Sequence, residues 1–350
     1  MGHRKKDIDL WDKLDIHANK LPLPCRIIYD SFRIFMLEHC IVRATALAYT
    51  SLLAVVPLMI LLSSISLYLG VGELFITHLP VLLPEILEKV LPYINNVLNL
   101  LSLDNTIDLS AMTDLILKNV MPFLVKAQEI SLGSLGVIGG LGLLVTFILA
   151  IDTIESNMNI VWGVNETRGY GQKVAIFIPF LLLFAGGIGI CGVLLHYMHE
   201  MLKKILTQSL SFGKFGDFLL DLSIPTVLLS FALAGLWALY CYMPYVPSEY
   251  NFWRAFIEKT KKRWFSAVIS TAFTYGAIFL FFTAMIFVMA SMFAKWSLFY
   301  GSLAVFPMIM FLLFGSWCII LFGNALCWRI TMRNSPKTYF LKRIKKLSTH

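Results

Sequence analysis

The sequence is short of charge. Of its 350 residues only 14% are Asp, Glu, Lys or Arg, against about 25% in ordinary soluble domains, and 58% belong to the apolar set, against about 45–50%. A globule of this length cannot bury that much apolar surface with so few charges left to keep its exterior in water, which excludes a soluble two-domain protein. Cysteine is sparse as well. The six residues Cys25, Cys40, Cys191, Cys241, Cys318 and Cys327 show no C-x-x-C spacing, and four lie in or beside apolar runs, as small buried hydrophobes do. Catalytic signatures are missing: there is no G-x-S-x-G, no Walker A loop and no G-x-G-x-x-G opening a helix after a strand. His196, His199 and Glu200 stand in the order HYMHE, which is wrong for a zinc helix and has no third ligand nearby, so an interfacial histidine pair is expected. No enzyme, cofactor or resident metal is expected. The first 43 residues carry charges throughout and contain no short apolar run before a cleavage site, so no signal peptide is expected either.

What is present is length without charge. A spanning helix needs about 20 mostly apolar residues. Six segments qualify: about Ala44–Gly70, Leu135–Asn157, Val174–His196, Phe218–Tyr240, Trp264–Ala290 and Phe299–Asn324, and none contains Lys or Arg. Assigning the connecting segments alternately to two sides places 22 of the 29 cations with the two termini and 7 on the opposite side, while the acids divide 11 to 10. Under the positive-inside rule both termini are cytoplasmic. The net charge of +8 is therefore a statement of orientation and of attraction to anionic headgroups. A nucleic-acid partner would need the cations gathered on one folded face with interleaved aromatics, and none is expected.

Two segments outside the spans have amphipathic patterns. In Leu23–Cys40, the residues Ile27, Ile28, Phe32, Phe35 and Met36 recur at helical spacing, with Arg26, Asp30 and Arg33 opposite. That pattern fits an interfacial helix at the inner leaflet or a helix packed on the bundle. The outer segment 71–134 is too long for a structureless loop. Leu83, Leu87, Val90, Leu91, Ile94, Val97, Leu98 and Leu101, followed by Leu115, Ile116, Phe123, Leu124 and Ala127, read as two or more amphipathic helices broken by Pro80, Pro84 and Pro92. They are expected to cap the outer end of the bundle.

Polar groups in a bilayer are costly, so those retained are the first candidates for function. Asp152, Glu155 and Asn159 lie at i, i+3 and i+7 near the inner end of the second span, on one helical face, with Asn157 to the side. They can line a cavity that holds a proton, a cation or a headgroup amine, or they can pair with Arg43, Arg168 or Lys173 and pin neighbouring helices. Arg43 marks the inner boundary of the first span, with Tyr49 and Thr50 deeper. Pro57, Pro225 and Pro307 fall within spans one, four and six, where a proline frees a carbonyl and can kink a helix. Gly136 with Gly140, Ala185 with Gly189, and the ladder Ser266, Ser270, Thr274 are spaced for close helix contact.

The run RATALAYTSLLAVVPLMILL, the NMNIVWGV closing the second span, PSEYNFWRAF before the fifth, FYGSLAVFP opening the sixth and the late WCIILFGNAL together resemble the YihY/BrkB family over about residues 20–330. The resemblance implies a bacterial inner-membrane protein, all-helical, with six spans and cytoplasmic termini, of a kind connected with envelope integrity, serum resistance and lipid export. Positions that match are Ala46, Ala48, Tyr49 and Pro57, then Asn159, Trp162 and Val164, then Tyr300, Gly301 and Gly323. Members often carry a Glu shortly after that last glycine, whereas this chain has Asn324. Some members were once labelled ribonuclease BN, but neither a metal-ligand set nor a general base can be assembled here.

The fold expected is thus an all-α integral membrane bundle of six spans over residues 44–324. An arm with an interfacial helix precedes it over residues 1–43, a helical periplasmic cap covers 71–134, and a basic cytoplasmic tail follows over 325–350. The leading functional expectation is translocation of lipid or a lipid-linked precursor without ATP, with Arg43, Tyr49, Asp152, Glu155, Asn159 and Trp162 as headgroup contacts. Pro57, Pro225 and Pro307 are the kink or gating candidates, and membrane lipids are the partners. Two alternatives stay open: a small-solute or ion transporter using Asp152 or Glu155, and a non-transporting scaffold whose outer segment binds an envelope partner.

Overall fold

The computed structural model describes residues 22–68, 136–164, 166–173, 229–230, 232–245, 263–285, 288 and 305–332, and every regular element among these residues is helical. The third expected span, the cap over 71–134, Pro225, the HYMHE run and the basic tail beyond Met332 lie outside them.

The first helix, α1 (Leu23–Leu37), begins with Pro24 in its first turn, where a missing N–H breaks no bond and the fixed φ favours the helix. It ends where the Glu38 N–H reaches Ile34 O at 2.9 Å and the His39 N–H reaches Met36 O at 3.1 Å. His39 takes the left-handed conformation, φ 52°, and turns the chain into α2 (Cys40–Tyr68). Pro57 lies inside α2, which stays helical past it. The next helix, α3 (Gly136–Val161), is closed by the sequence NIVWGV. Gly163 adopts φ 73°, its N–H bonds Ile160 O at 2.8 Å, and the Val164 N–H bonds Asn159 O at 3.1 Å. This paired closure needs a residue free to go left-handed, and glycine does so without a Cβ penalty. The remaining long elements are α4 (Ala232–Tyr242), α5 (Arg263–Met285) and α6 (Val305–Thr331). Pro307 falls in the first turn of α6 as described, so it interrupts no hydrogen bond of that helix.

Helices α2, α3, α5 and α6 have 29, 26, 23 and 27 residues, and at about 1.5 Å per residue each exceeds a hydrocarbon core of about 30 Å. Among the described residues, two helical stretches, α5 and Ile309–Thr331 of α6, satisfy both the length and the composition needed to cross a membrane. Only 28% of the most apolar stretch of each is buried. A soluble core helix of that composition would be mostly covered.

The arrangement of faces explains this. In α5 the buried side is polar: Arg263, Ser266, Ser270, Thr271 and Thr274, with Ala267 between them. The opposite side is apolar and bare, with Phe265 67% and Leu280 65% exposed and Val268, Ile269, Phe273 and Phe279 beside them. The ladder Ser266, Ser270, Thr274 therefore faces inward. Helix α1 shares this in part, with a buried side that mixes polar and apolar residues. Asp30, Ser31 and Arg33 are buried with Ile34 and Phe35, while Leu23, Ile28 and Phe32 point out. Exposed hydroxyls bond their own helix: Thr45 to Ile41 O at 3.2 Å, Thr50 to Ala46 O, Thr146 to Gly142 O and Thr153 to Leu149 O, the last three at 2.9 Å. That is how a hydroxyl is satisfied where no water competes for it.

Helix α6 is the hub. It packs on α1, α2 and α3, and between Leu321 and Trp328 only Phe322 is not fully buried. Arg329 Nε donates to Asp30 Oδ2 at 2.7 Å, clasping α1 to the end of α6. Trp317 Nε1 donates to Ser51 Oγ at 2.9 Å on α2, and the Ser266 and Thr331 hydroxyls meet at 2.6 Å across α5 and α6. Gly323 lies against the meeting of Tyr240 Oη with Thr274 Oγ1 (2.8 Å) and Ile320 O (3.1 Å), where α4, α5 and α6 converge. A Cβ there would overlap both side-chain oxygens. Gly323→Ala should therefore lower the unfolding free energy in detergent by about 1–3 kcal/mol through overpacking. Gly142→Ala, where nothing lies within 4 Å, should leave it unchanged or raise it by up to about 1 kcal/mol. Denaturant titrations of the two variants decide the matter, and equal midpoints would refute the assigned contact.

Candidate functional site

The polar groups read from the second span converge at the C-terminal end of α3. Glu155 and Asn159, at 0% and 1% exposure, lie one turn apart on its inward face. The segment that leaves the Gly163 turn comes back along the helix and brings its cations with it. Arg168 Nη1 donates to Glu155 Oε1 at 3.0 Å, and the Arg168 backbone N–H donates to the same oxygen at 3.2 Å. Lys173, in the short helical turn at 170–173, bonds Asp152 and stands 3.7 Å from Glu155 Oε2. Both carboxylates thus face cations of the following segment.

Arg168 also ties this end of α3 to α4. Its Nη1 donates to Met243 O at 2.9 Å and its Nη2 to Tyr242 O at 2.6 Å, carbonyls at the C-terminal end of α4 and just past it. Burial lowers the Arg168 pKa from its ordinary value, and the Glu155 carboxylate opposes the shift. Asn159 completes the join. Its Nδ2 donates to Glu166 O at 3.0 Å, and its Oδ1 accepts from the Tyr245 N–H at 2.7 Å. An asparagine can do this because it offers both an acceptor and donors.

A second layer lies beside the first. Trp162 Nε1 donates to Asn324 Oδ1 at 2.8 Å, and Asn324 Nδ2 donates to Met158 O at 3.0 Å, which fixes α6 to the end of α3. The Arg263 guanidinium stacks over the Trp162 ring at 4.4 Å and donates to Pro244 O at 2.8 Å. Arg263 is 5% exposed, so this cation is closed in by carbonyls and an aromatic face. Among the described residues no three His, Cys, Asp or Glu side chains form a metal-ligand group. Cys40, Cys241 and Cys327 are buried free thiols, Cys318 is half-buried and Cys25 is exposed.

Of the expected contacts, the structure brings Asp152, Glu155, Asn159 and Trp162 together. Arg43 sits at their edge: its Nε donates to Glu38 O at 2.8 Å and its Nη1 approaches Asn157 Oδ1 at 3.4 Å. Tyr49 does not join them; it is 57% exposed on the outer face of α2. Arg263 and Tyr245 entered the site without being singled out in the sequence. The available signal for Arg263 was its position as the last cation before an apolar run, which fits a capped or stacked guanidinium as well as a solvated one. The arrangement pins helix ends, and its polar groups are largely spent on one another.

The chain matches the profile of the family described as Virulence factor BrkB over residues 31–340. It is 25% identical over 308 residues to a UPF0761 membrane protein of Acinetobacter baylyi, an alignment covering 87% of this chain and 62% of that one. It is 27% identical over 214 residues to a UPF0761 membrane protein of Delftia acidovorans, covering 61% of this chain and 46% of that one. It is also 25% identical over 216 residues to the UPF0761 membrane protein YihY of Salmonella typhimurium, covering 61% and 63%. The chain thus spans about half to two-thirds of the curated relatives it matches. None of these names carries an enzymatic activity. No solved structure matches the chain.

Two of the ion pairs at the site differ in burial, so they should differ in energy. The Arg168 and Glu155 side chains are 2% and 0% exposed, and Glu155→Gln alone should cost about 3–5 kcal/mol because it leaves the buried Arg168 uncompensated, whereas after Arg168→Gln the Lys173 ammonium, 3.7 Å from Glu155 Oε2, still faces the carboxylate. The Asp152 carboxylate is 36% exposed, and Asp152→Asn should cost no more than about 1 kcal/mol. A double-mutant cycle on each pair, read by unfolding in detergent, checks the order, and a reversed order would overturn the assignment.

Proposed function

This chain belongs to the virulence factor BrkB family of membrane proteins, and on that premise we propose that it is a multi-pass bacterial inner-membrane protein that moves lipid, or a lipid-linked envelope precursor, without ATP. The observation that carries the reading is the inverted surface of the bundle. Helices α1 and α5 turn charge and hydroxyls inward and present bare apolar faces outward, so the medium the protein is built to contact is acyl chain. On this reading all six apolar runs span. Both termini are cytoplasmic because 22 cations accompany them against 7 on the other side. The outer segment 71–134 would then offer a periplasmic surface to an envelope partner.

One observation favours a second reading, a non-transporting membrane scaffold. Glu155, Asn159 and Asn324 are committed to internal partners, which suits a rigid joint. The same pairing weighs against an ion-coupled carrier that uses Glu155, and leaves half-exposed Asp152 as the carboxylate such a carrier would have. Uptake driven by protons or sodium and lost in Asp152→Asn would bring that third reading forward.

Reconstitution separates the first two readings. Full-length protein in liposomes carrying fluorescent lipids of several headgroups should speed leaflet exchange at least severalfold over protein-free vesicles, without nucleotide. Exchange at the protein-free rate for every headgroup would leave the scaffold reading standing and remove this one. For orientation, a periplasm-active reporter fused at the C-terminus should be silent and a cytoplasm-active one should work.

A further inference from the structure

We propose that Arg43 is the headgroup site for an anionic phospholipid, whose acyl chain lies along the exposed face of α2. Arg43 differs from the cations that join the helix ends. Arg168, Lys173 and Arg329 each have a carboxylate within ion-pair distance, and Arg263 is enclosed by carbonyls and the Trp162 ring. Arg43 is half-buried in the first turn of α2, and among the described residues it meets no carboxylate. Its bond to Glu38 O and its long contact with Asn157 engage Nε and Nη1, two of the nitrogens of a group with five N–H donors. These contacts fix the guanidinium plane while leaving donors for a phosphate, which guanidinium binds in a two-pronged manner.

The surface beside it specifies a lipid over a free phosphate. Val42 (69% exposed), Tyr49 and Leu53 recur at i, i+7 and i+11, so they form one stripe along α2, with Ile41 exposed at its start. From residue 42 to residue 53 the stripe runs about 16 Å, close to the depth of one leaflet of a core of about 30 Å. Thr45 and Thr50, to either side of the stripe, bond their own helix carbonyls, so the hydroxyls flanking the path are satisfied within α2. Helix α1, which contacts α2, carries its own outward Ile28 and Phe32. A cation at one end and an apolar stripe of leaflet length behind it match the two parts of an anionic phospholipid.

The inference rests on the lipid-handling reading for membrane placement alone, and its experiment measures equilibrium proximity rather than transfer, so each can fail while the other stands. The full chain, carrying a photoreactive phenylalanine analogue in place of Val42, is assembled in nanodiscs of equal phosphatidylglycerol and phosphatidylcholine. Crosslinking at that position should favour phosphatidylglycerol by about fivefold, the factor expected from one Arg at an anionic surface. The same analogue in place of Leu280 should show no preference. Arg43→Gln should abolish the preference and Arg43→Lys should keep it within about twofold. Equal preference at both positions overturns the site without any change at Arg43, so a poorly folded Arg43→Gln cannot shelter the proposal. A preference untouched by Arg43→Gln overturns it too. Loss of the preference on adding millimolar inorganic phosphate would make this a site for soluble phosphate and overturn the lipid assignment.

Discussion

A guanidinium buried at the end of a bundle must find its partners within the protein, and much of the architecture at this end follows from those that the two terminal nitrogens of Arg168 find. Its charge is taken out of water beside Glu155, a cost that the attraction alone does not reliably cover. The balance comes from geometry: one nitrogen serves Glu155 and Met243 O together, a second reaches Tyr242 O, and the backbone N–H returns to Glu155. The two carbonyls lie at the C-terminal end of α4 and just beyond it, where helical carbonyls lose their intrahelical donors. The pair therefore neutralises itself and caps a neighbouring helix in the same set of bonds. Without the Gly163 turn the chain could not fold back to bring Arg168 beside Glu155, so a backbone closure and a charge pair depend on each other.

The same economy appears at the level of faces. A helix in water buries its apolar stripe and wets its polar one. Helix α5 reverses this, and the reversal is consistent along six turns: serines, threonines and Arg263 inward, phenylalanines and branched aliphatics outward. Small polar residues let backbones approach and supply cross-helix bonds, as between Ser266 and Thr331. Larger apolar residues on that side would hold the helices apart and leave Tyr240 Oη without Thr274.

Much of this could be read from the residues. Helicity over the described parts of the apolar runs, the shared face of Asp152, Glu155 and Asn159, and the inward ladder at Ser266, Ser270 and Thr274 are periodic features, and periodicity survives in a single sequence. The cations that could meet the acids, Arg43, Arg168 and Lys173, could be named from the residues, but not which cation meets which acid. That Glu155 pairs with Arg168 and Asp152 with Lys173 depends on how the 162–173 segment returns, which the left-handed Gly163 decides. Helix α1 is the clearest case of pattern without direction. Its apolar and charged edges are evident, but an amphipathic pattern does not state which edge meets protein. In water the charged edge would face out; here Asp30 reaches inward to Arg329 and Ile28 and Phe32 face out. The choice belongs to the medium.

Asn324 shows why an amide suits the centre of this joint. It must accept from Trp162 Nε1 and donate to Met158 O at once, at 0% exposure. An ionised carboxylate in its place could accept from the tryptophan, but it would oppose the Met158 carbonyl with nothing to donate. It would need a compensating charge, and the nearest candidate along the contact chain is Arg263, stacked on that same tryptophan. With an amide at 324 no such charge is called for, and Arg263 remains held by carbonyls and a ring face. The carboxylates of this end are thus kept to one layer, paired with Arg168 and Lys173, while the layer beneath is joined by groups that carry dipoles or a cation whose partner is an aromatic face. Separating the layers in this way keeps Glu155 from competing for Arg263, and lets α3, α4 and α6 be fixed together with a single buried carboxylate.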